Sequence, residues 1–459
     1  MPVQKTLCSR GASAGRPERA APYRLVLLAC AFGLVNCQIA SSTAAPEPKP
    51  LSTTIIHAGT LLAVPGEAPA VRQSVVIEGG KIVAVENGFV SRPGARIVDL
   101  SSSFVLPGLI DSHVHLQFGG GDYRGDLTRM ADGYQILRGY AEAHRALEAG
   151  FTTIRDQAGS ADVVFSIRDA ISRGDVEGPR IFASGPALIP TGGGILKGLG
   201  VRSDVAGLLE PGSMEMACDG SEACRRAARR ALADGADHIK IIVSGSILEP
   251  KLGRQMTRDE IEAIVAAARE MGKPVSAAAL EPDGIKVAIE AGVRTIEHGT
   301  LMDESSFPLF RSSGVWFVPT MMSVEKLRAR ADSGDALNPV ARANIIAASD
   351  NLLRIVPLAY RAGVPILFGT DQNVGSLGTN AREFVLMRAA GMREADIIRS
   401  ATIDAARALG QEAALGAIRP GMVADIIAVQ ASPLNHIENL GQVRFVMKAG
   451  RPVILGSRF

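Results

Sequence analysis

The chain has 459 residues, 47% of them hydrophobic and 21% charged, with a formal net charge of +2. That is enough chain for one large α/β domain plus a smaller one, and it excludes a small scaffold that depends on disulfide staples. A charge this close to balance excludes an extended basic surface for nucleic acid and gives no reason to expect an acidic polymer as partner.

The first 45 residues read as a leader. Scattered Arg and Lys precede an apolar run from Leu25 to Val35, followed by small residues around Ser42, Thr43 and Ala44. This is the charged, apolar, small-residue order of a secretory signal, and the run is shorter than the roughly 20 residues of a spanning helix. We therefore expect export to the periplasm or medium without a spanning segment. Leu27-Leu28-Ala29-Cys30 is similar to a lipoprotein box, a lesser alternative because little apolar sequence precedes it. Cys8, Cys30 and Cys37 lie in the leader, which leaves Cys218 and Cys224. An oxidising compartment allows these two to pair, but two unpaired thiols at the start of a helix are the preferred expectation.

From Thr53 to Leu106 short β-rich runs are broken by Gly and Pro, which predicts hairpins of a small sheet domain. The same texture returns in 424–429 and 443–453, so both ends are expected to build one β-sandwich, from 46–106 and 413–459. Between them, in 107–412, strand-like runs alternate with helical patterns. The strands are Phe104 to His115, Thr152 to Asp156, Arg180 to Ser184, His238 to Val243, Pro274 to Leu280, Arg294 to His298, Trp316 to Thr320 and Pro365 to Asp371. Eight parallel strands alternating with helices predict a TIM-like (β/α)8 barrel. Thr257 and Glu260 have capping-box spacing ahead of an Ile-Glu-Ala-Ile-Val helix that Gly272 closes.

In such a barrel, chemistry sits at the C-terminal ends of the strands. The first strand ends in Asp111-Ser112-His113-Val114-His115, and alternation puts both imidazoles on one face, about 7 Å apart along the chain. Two neutral imidazoles suit Zn²⁺ or a related ion, although a bare His-x-His is weak by itself. Lys240 stands inside an apolar strand, where a charged ammonium is disfavoured, and His298 and Asp371 end two further strands.

With these residues in place the chain resembles the amidohydrolase superfamily, in its imidazolonepropionase-like, Xaa-Pro dipeptidase-like and ochratoxinase-like branch. The resemblance is carried by Phe-Val-Leu-Pro-Gly-Leu-Ile-Asp-Ser-His-Val-His-Leu from Phe104, by Gly-Ala-Asp-His-Ile-Lys-Ile from Gly235, and by Leu-Gly-Ala-Ile-Arg-Pro-Gly-Met-Val-Ala-Asp-Ile-Ile-Ala-Val from Leu415. It implies that His113, His115 and Asp371 hold one metal, that Lys240 is carboxylated and bridges two metals, and that His298 holds the second. Zn²⁺ is the expected ion, with Mn²⁺ or Co²⁺ as alternatives. Asp371 would take a proton from the attacking water and pass it to the leaving amine.

The chain departs from the resemblance in three places. Ala278 stands where the family has a histidine ligand, and Gly194 and Leu377 stand where relatives often carry His. His238, on the face of Lys240 but one layer deeper, reads as a core histidine, and Glu249 and Glu281 read as solvated loop acids. Tyr123 and Arg124, after the first strand, can be substrate contacts or ordinary loop residues.

The leading expectation is metal-dependent hydrolysis of an amide or peptide bond in a small molecule, such as a dipeptide, an N-acyl amino acid or an ochratoxin-like amide. The alternatives are opening of a cyclic amide and a catalytically impaired barrel that only binds its ligand. A homo-oligomer is compatible with the sequence.

Overall fold

The computed structural model describes residues 53–117, 129–194, 214–248, 253–334, 337–372 and 377–453. The leader, Tyr123, Arg124 and Glu249 lie outside the described residues.

The chain begins with β1 (Thr54–Leu61), β2 (Ala70–Glu78), β3 (Lys81–Asn87) and β4 (Arg96–Pro107). β1 pairs antiparallel with β2 and β2 with β3, whereas β4 lies parallel to β1. Gly79 and Gly80 make the tight turn between β2 and β3, both at positive φ (57° and 79°), a backbone that residues with a Cβ rarely adopt.

Two residues after β4 starts β5 (Leu109–Val114), followed by β6 (Phe151–Asp156) and β7 (Arg180–Ala183), three parallel strands paired in that order. A second parallel sheet holds β8 (Ala187–Ile189), β9 (Glu215–Ala217), β10 (Ile239–Ile242), β11 (Val275–Ala279), β12 (Thr295–His298) and β13 (Trp316–Val318), in the order β13-β12-β11-β10-β8-β9. The short β8 and β9 are additions to the strands expected from sequence. Helices fill the connections, among them Asp132–Glu148, Ala161–Arg173, Ser221–Ala233, Arg258–Glu270 and Pro282–Ala291. Thr257 and Glu260 form a reciprocal capping box at the start of Arg258–Glu270, and Gly272 (φ 66°) follows its end.

The eighth expected strand is a thinner structure. Residues 365–372 pair through single bridges, Phe317↔Ile366 on one side and Val114↔Gln372 on the other. Backbone bonds reinforce them, from Leu367 N to Phe317 O (2.9 Å), from Ser112 N to Phe368 O (3.2 Å) and from Asp371 N to His113 O (2.7 Å). This segment thus spans between β13 and β5 and brings Asp371 beside His113.

The chain ends with β14 (Ile426–Val429), β15 (Val443–Lys448) and β16 (Arg451–Pro452). β14 pairs antiparallel with β4, so both ends of the chain share one seven-stranded mixed sheet, β16-β15-β14-β4-β1-β2-β3. Ile56, Val75, Ile77, Val105, Ile426 and Met447 form a buried cluster on it, separate from the main core.

One expectation is corrected. Cys218 and Cys224 are joined as a disulfide, not unpaired. β9 ends at Ala217, Gly220 turns the chain at φ 77°, and the first turn of Ser221–Ala233 returns Cys224 to within 4.9 Å of Cys218 between Cα atoms, inside the range that a disulfide spans. Sequence spacing alone does not reveal that return.

Candidate metal centre

The C-terminal ends of the parallel strands surround a cavity of about 250 Å³, whose walls include His113, His115, Lys240, His298 and Asp371. Three of these form a group that can hold a metal ion. The ligand atoms of His113, His115 and Asp371 lie within 4.8 Å of one another. Asp371 Oδ1 is 3.5 Å from His113 Nε2 and 3.1 Å from His115 Nε2. The His298 ring is centred 5.0 Å from that of His113.

The other ring nitrogens decide what these atoms are. His113 Nδ1 lies 2.7 Å from Glu297 Oε2, and His115 Nδ1 lies 3.3 Å from the carbonyl oxygen of Ala158. A carboxylate only accepts, so the contact with Glu297 puts the His113 proton on Nδ1 and leaves its Nε2 a lone pair facing the Asp371 carboxylate, to which His115 hydrogen-bonds. His113 Nε2 is buried and has no hydrogen-bond partner. A buried imidazole lone pair that faces a carboxylate with no donor between them is stable only beside a positive charge, so the residues present fit a divalent cation.

Electrostatics agree. Burial, reinforced by Lys240, holds His113 well below the usual imidazole range and so keeps it neutral. Burial likewise lowers His298 to about 4, with Asp371 opposing. For Asp371, burial acts to raise the pKa, but the hydrogen bond from His115 and the neighbouring His113 and His298 prevail and hold it far below the carboxylate range. Lys240 is 4% exposed, and burial brings its ammonium down to about 8 against the pull of Glu297 and Asp371.

The strand ends are bent to aim these groups. His298, Thr320 and Asp371 are non-glycine residues at positive φ (72°, 50° and 53°). Such a backbone is unfavourable for L-residues, most of all for β-branched Thr, and it clusters at functional sites. Thr320 Oγ1 meets His298 Nδ1 at 2.9 Å, so one of these residues orients another.

The structure also shows the departures. Ala278 lines the cavity within a buried apolar cluster of Ala158, Ala187, Ile189, Met214 and Ile242. Gly194 sits at φ 84° where an added Cβ would lie 2.5 Å from Glu215 Oε1, so the Glu215 carboxylate fills the space a side chain would need. Leu377 is buried away from the cavity, its amide donating to Glu142 Oε2 at 3.2 Å. His238 is buried near the N-terminal ends of β10 to β13 and lines a separate cavity of about 560 Å³. Glu281 is not the solvated acid expected. Both of its carboxylate oxygens are buried and unpartnered, because it precedes the helix Pro282–Ala291 and turns its side chain inward.

Glu297, Arg155 and Thr320 are functional neighbours that no sequence motif marks. An arginine inside the apolar strand Phe-Thr-Thr-Ile-Arg-Asp carried the same burial signal as Lys240, and it was the one usable clue.

The amidohydrolase family model matches residues 104–453. The chain belongs to the amidohydrolase family. This amidohydrolase is 31% identical over 427 residues to ochratoxinase from Aspergillus niger, covering 87% of the chain and 86% of that protein. It is 26% identical over 405 residues to imidazolonepropionase from Fusobacterium nucleatum, covering 79% and 86%. Among solved structures, a Xaa-Pro dipeptidase with methionine bound in its active site superposes with a TM-score of 0.81 at 34% identity, over 88% of this chain and all of that one. The chain is therefore a hydrolase acting on amide bonds, with a TIM-like fold.

Proposed function

We propose that this amidohydrolase cleaves an amide or peptide bond in a dipeptide, an N-acyl amino acid or a related small amide, with a divalent ion held by His113, His115 and Asp371. The observation that carries the reading is the convergence of two imidazoles on the Asp371 carboxylate, with His113 Nε2 left unpartnered. Zn²⁺ suits this nitrogen and carboxylate set, as do Mn²⁺ and Co²⁺. A neutral Lys240, favoured by burial, would react with CO₂ to a carbamate with release of one proton, and that carbamate with His298 would hold a further ion. When bound, a divalent ion acidifies water and polarises the scissile carbonyl.

The chain's own groups do the rest. Asp371 accepts the proton of the attacking water on a carboxylate oxygen and delivers it to the leaving nitrogen. Ile247, Leu248, Leu280, Val324 and Leu327 line the cavity and hold an apolar part of the substrate while excluding water. The names of the similar proteins, ochratoxinase and Xaa-Pro dipeptidase, support a substrate of this size and bond type.

Opening of a cyclic amide is the second reading, favoured by the extended similarity to imidazolonepropionase. Bonding of 365–372 to both β13 and β5 supports closure into an eight-stranded barrel, and the separate core of the terminal sheet supports a sandwich-like second domain. Export is supported by the Cys218–Cys224 disulfide, which persists in oxidising compartments. No helix of the described residues is long and apolar enough to cross a membrane.

The test is a panel of N-acyl amino acids, dipeptides and cyclic amides offered to protein that has been stripped by a chelator and reloaded with Zn²⁺, Mn²⁺ or Co²⁺. Turnover should vanish on stripping and return on reloading. A fully loaded protein that turns over no member of the panel would instead establish a ligand-binding barrel.

A further inference from the structure

A buried chain of charges runs behind the candidate metal centre, and the Glu297 carboxylate that meets His113 is only its first member. Glu297, fully buried, accepts from His113 Nδ1 on Oε2 (2.7 Å) and from Arg155 on Oε1 (2.9 Å), and Oε1 also accepts from the Thr295 hydroxyl. Arg155, 2% exposed, also donates from Nε to the Ser112 carbonyl (2.6 Å) and from a terminal nitrogen to Thr295 Oγ1 (3.2 Å). Three strands, β5, β6 and β12, thus meet in one polar cluster inside an apolar core. Burying a guanidinium and a carboxylate is costly, so the cluster calls for a role beyond stability.

We propose that Glu297, locked in place by Arg155, is a positioning residue that fixes the tautomer of His113 and through it the affinity of the site for its ion. The proposal rests on the reading of His113 as a ligand. The Glu297 carboxylate can only accept, so the imidazole proton must sit on Nδ1 and leave Nε2 free to bind. Arg155 makes this a directional device. In a Glu297→Gln variant the Arg155 and Thr295 donors hold the amide oxygen on their own side, which turns the amide N–H₂ toward His113. That group donates to Nδ1 and moves the imidazole proton to Nε2, the atom that has to be bare. A substitution that preserves size and hydrogen-bonding capacity thereby inverts the ligand.

Two measurements test this. Nitrogen NMR on histidine-labelled, metal-free wild-type protein should show His113 with its proton on Nδ1, and Glu297→Gln should show it on Nε2. Competition with a chromophoric chelator should show Zn²⁺ held about 10- to 100-fold more weakly by the variant. A wild-type His113 protonated on Nε2 overturns the proposal without needing any variant, and so does a folded Glu297→Gln protein with wild-type Zn²⁺ affinity. A wild type that binds no ion defeats the metal reading itself, while the tautomer measurement still decides the role of Glu297.

Discussion

The two halves of the cavity are built on opposite principles. At β5 and the 365–372 segment, His113, His115 and Asp371 aim polar atoms at one point, and each histidine is oriented by a partner behind it. Across β10 and β11, where Ile242 pairs with Ala278, the wall is alkyl, continued by Ala158, Ala187, Ile189 and Met214. Lys240 stands on the border, next to Ile242 by alternation and paired with Ser276. Polar atoms are thus not distributed evenly over the strand ends, and where β11 presents Ala278 the cavity wall is apolar surface.

The largest effect is expected from attacking the polar half. Asp371→Asn removes both an anionic ligand and the proton carrier, and should lower kcat/KM by about 10³-fold or more together with loss of bound metal, as read by progress curves and elemental analysis. Retained turnover would show that the polar half is not where the reaction occurs. An intermediate effect comes from making the apolar half polar. Ala278→His should raise bound Zn²⁺ by about one ion per chain, since the new imidazole joins Lys240 and His298, at a packing cost of about 1–3 kcal/mol. An unchanged metal content would show that the alkyl wall alone keeps a second ion out.

The smallest effect concerns the support behind the apolar wall. Glu383 is buried and caps Met321 N and Met322 N, at the start of the helix Met321–Asp332 that carries Val324 and Leu327 into the cavity. Burial raises its pKa from 4.5 to about 8. The native state therefore keeps a proton that the unfolded chain releases, so this group's contribution to stability is complete below about 4.5 and is lost as pH rises through about 8. Glu383→Gln cannot titrate, and its Tm should fall less than that of the wild type between those two pH values. Parallel Tm profiles would remove Glu383 from the account.

Much of the parallel-strand framework was legible because its period is simple. Apolar runs broken by Gly and Pro place β5, β6, β10, β11 and β12 close to where they lie, and asking what ends each strand leads to residues that the structure gathers around one cavity. Less legible were features that depend on side-chain direction or on the path of a turn. Glu281 has the composition of a loop acid, and its inward carboxylate follows only from how the chain enters the next helix. The closeness of Cys218 and Cys224 needs the turn at Gly220, whose φ no spacing rule supplies. Glu297 and His298, neighbours in sequence, both meet His113 because the backbone turns at His298 (φ 72°), a break in alternation that no strand period supplies.

The pairing of β4 with β14 has a consequence for how the molecule comes into being. Pro107 finds its partner in Ile426, about two thirds of the chain away, and β4 leads through Gly108 directly into the strand that bears His113. The N-terminal hairpins can form early, but their sheet cannot be completed until the last strands have been delivered, and such distant pairings form slowly. The strand that bears His113 is thus anchored at its entrance only once the C-terminal strands are in place.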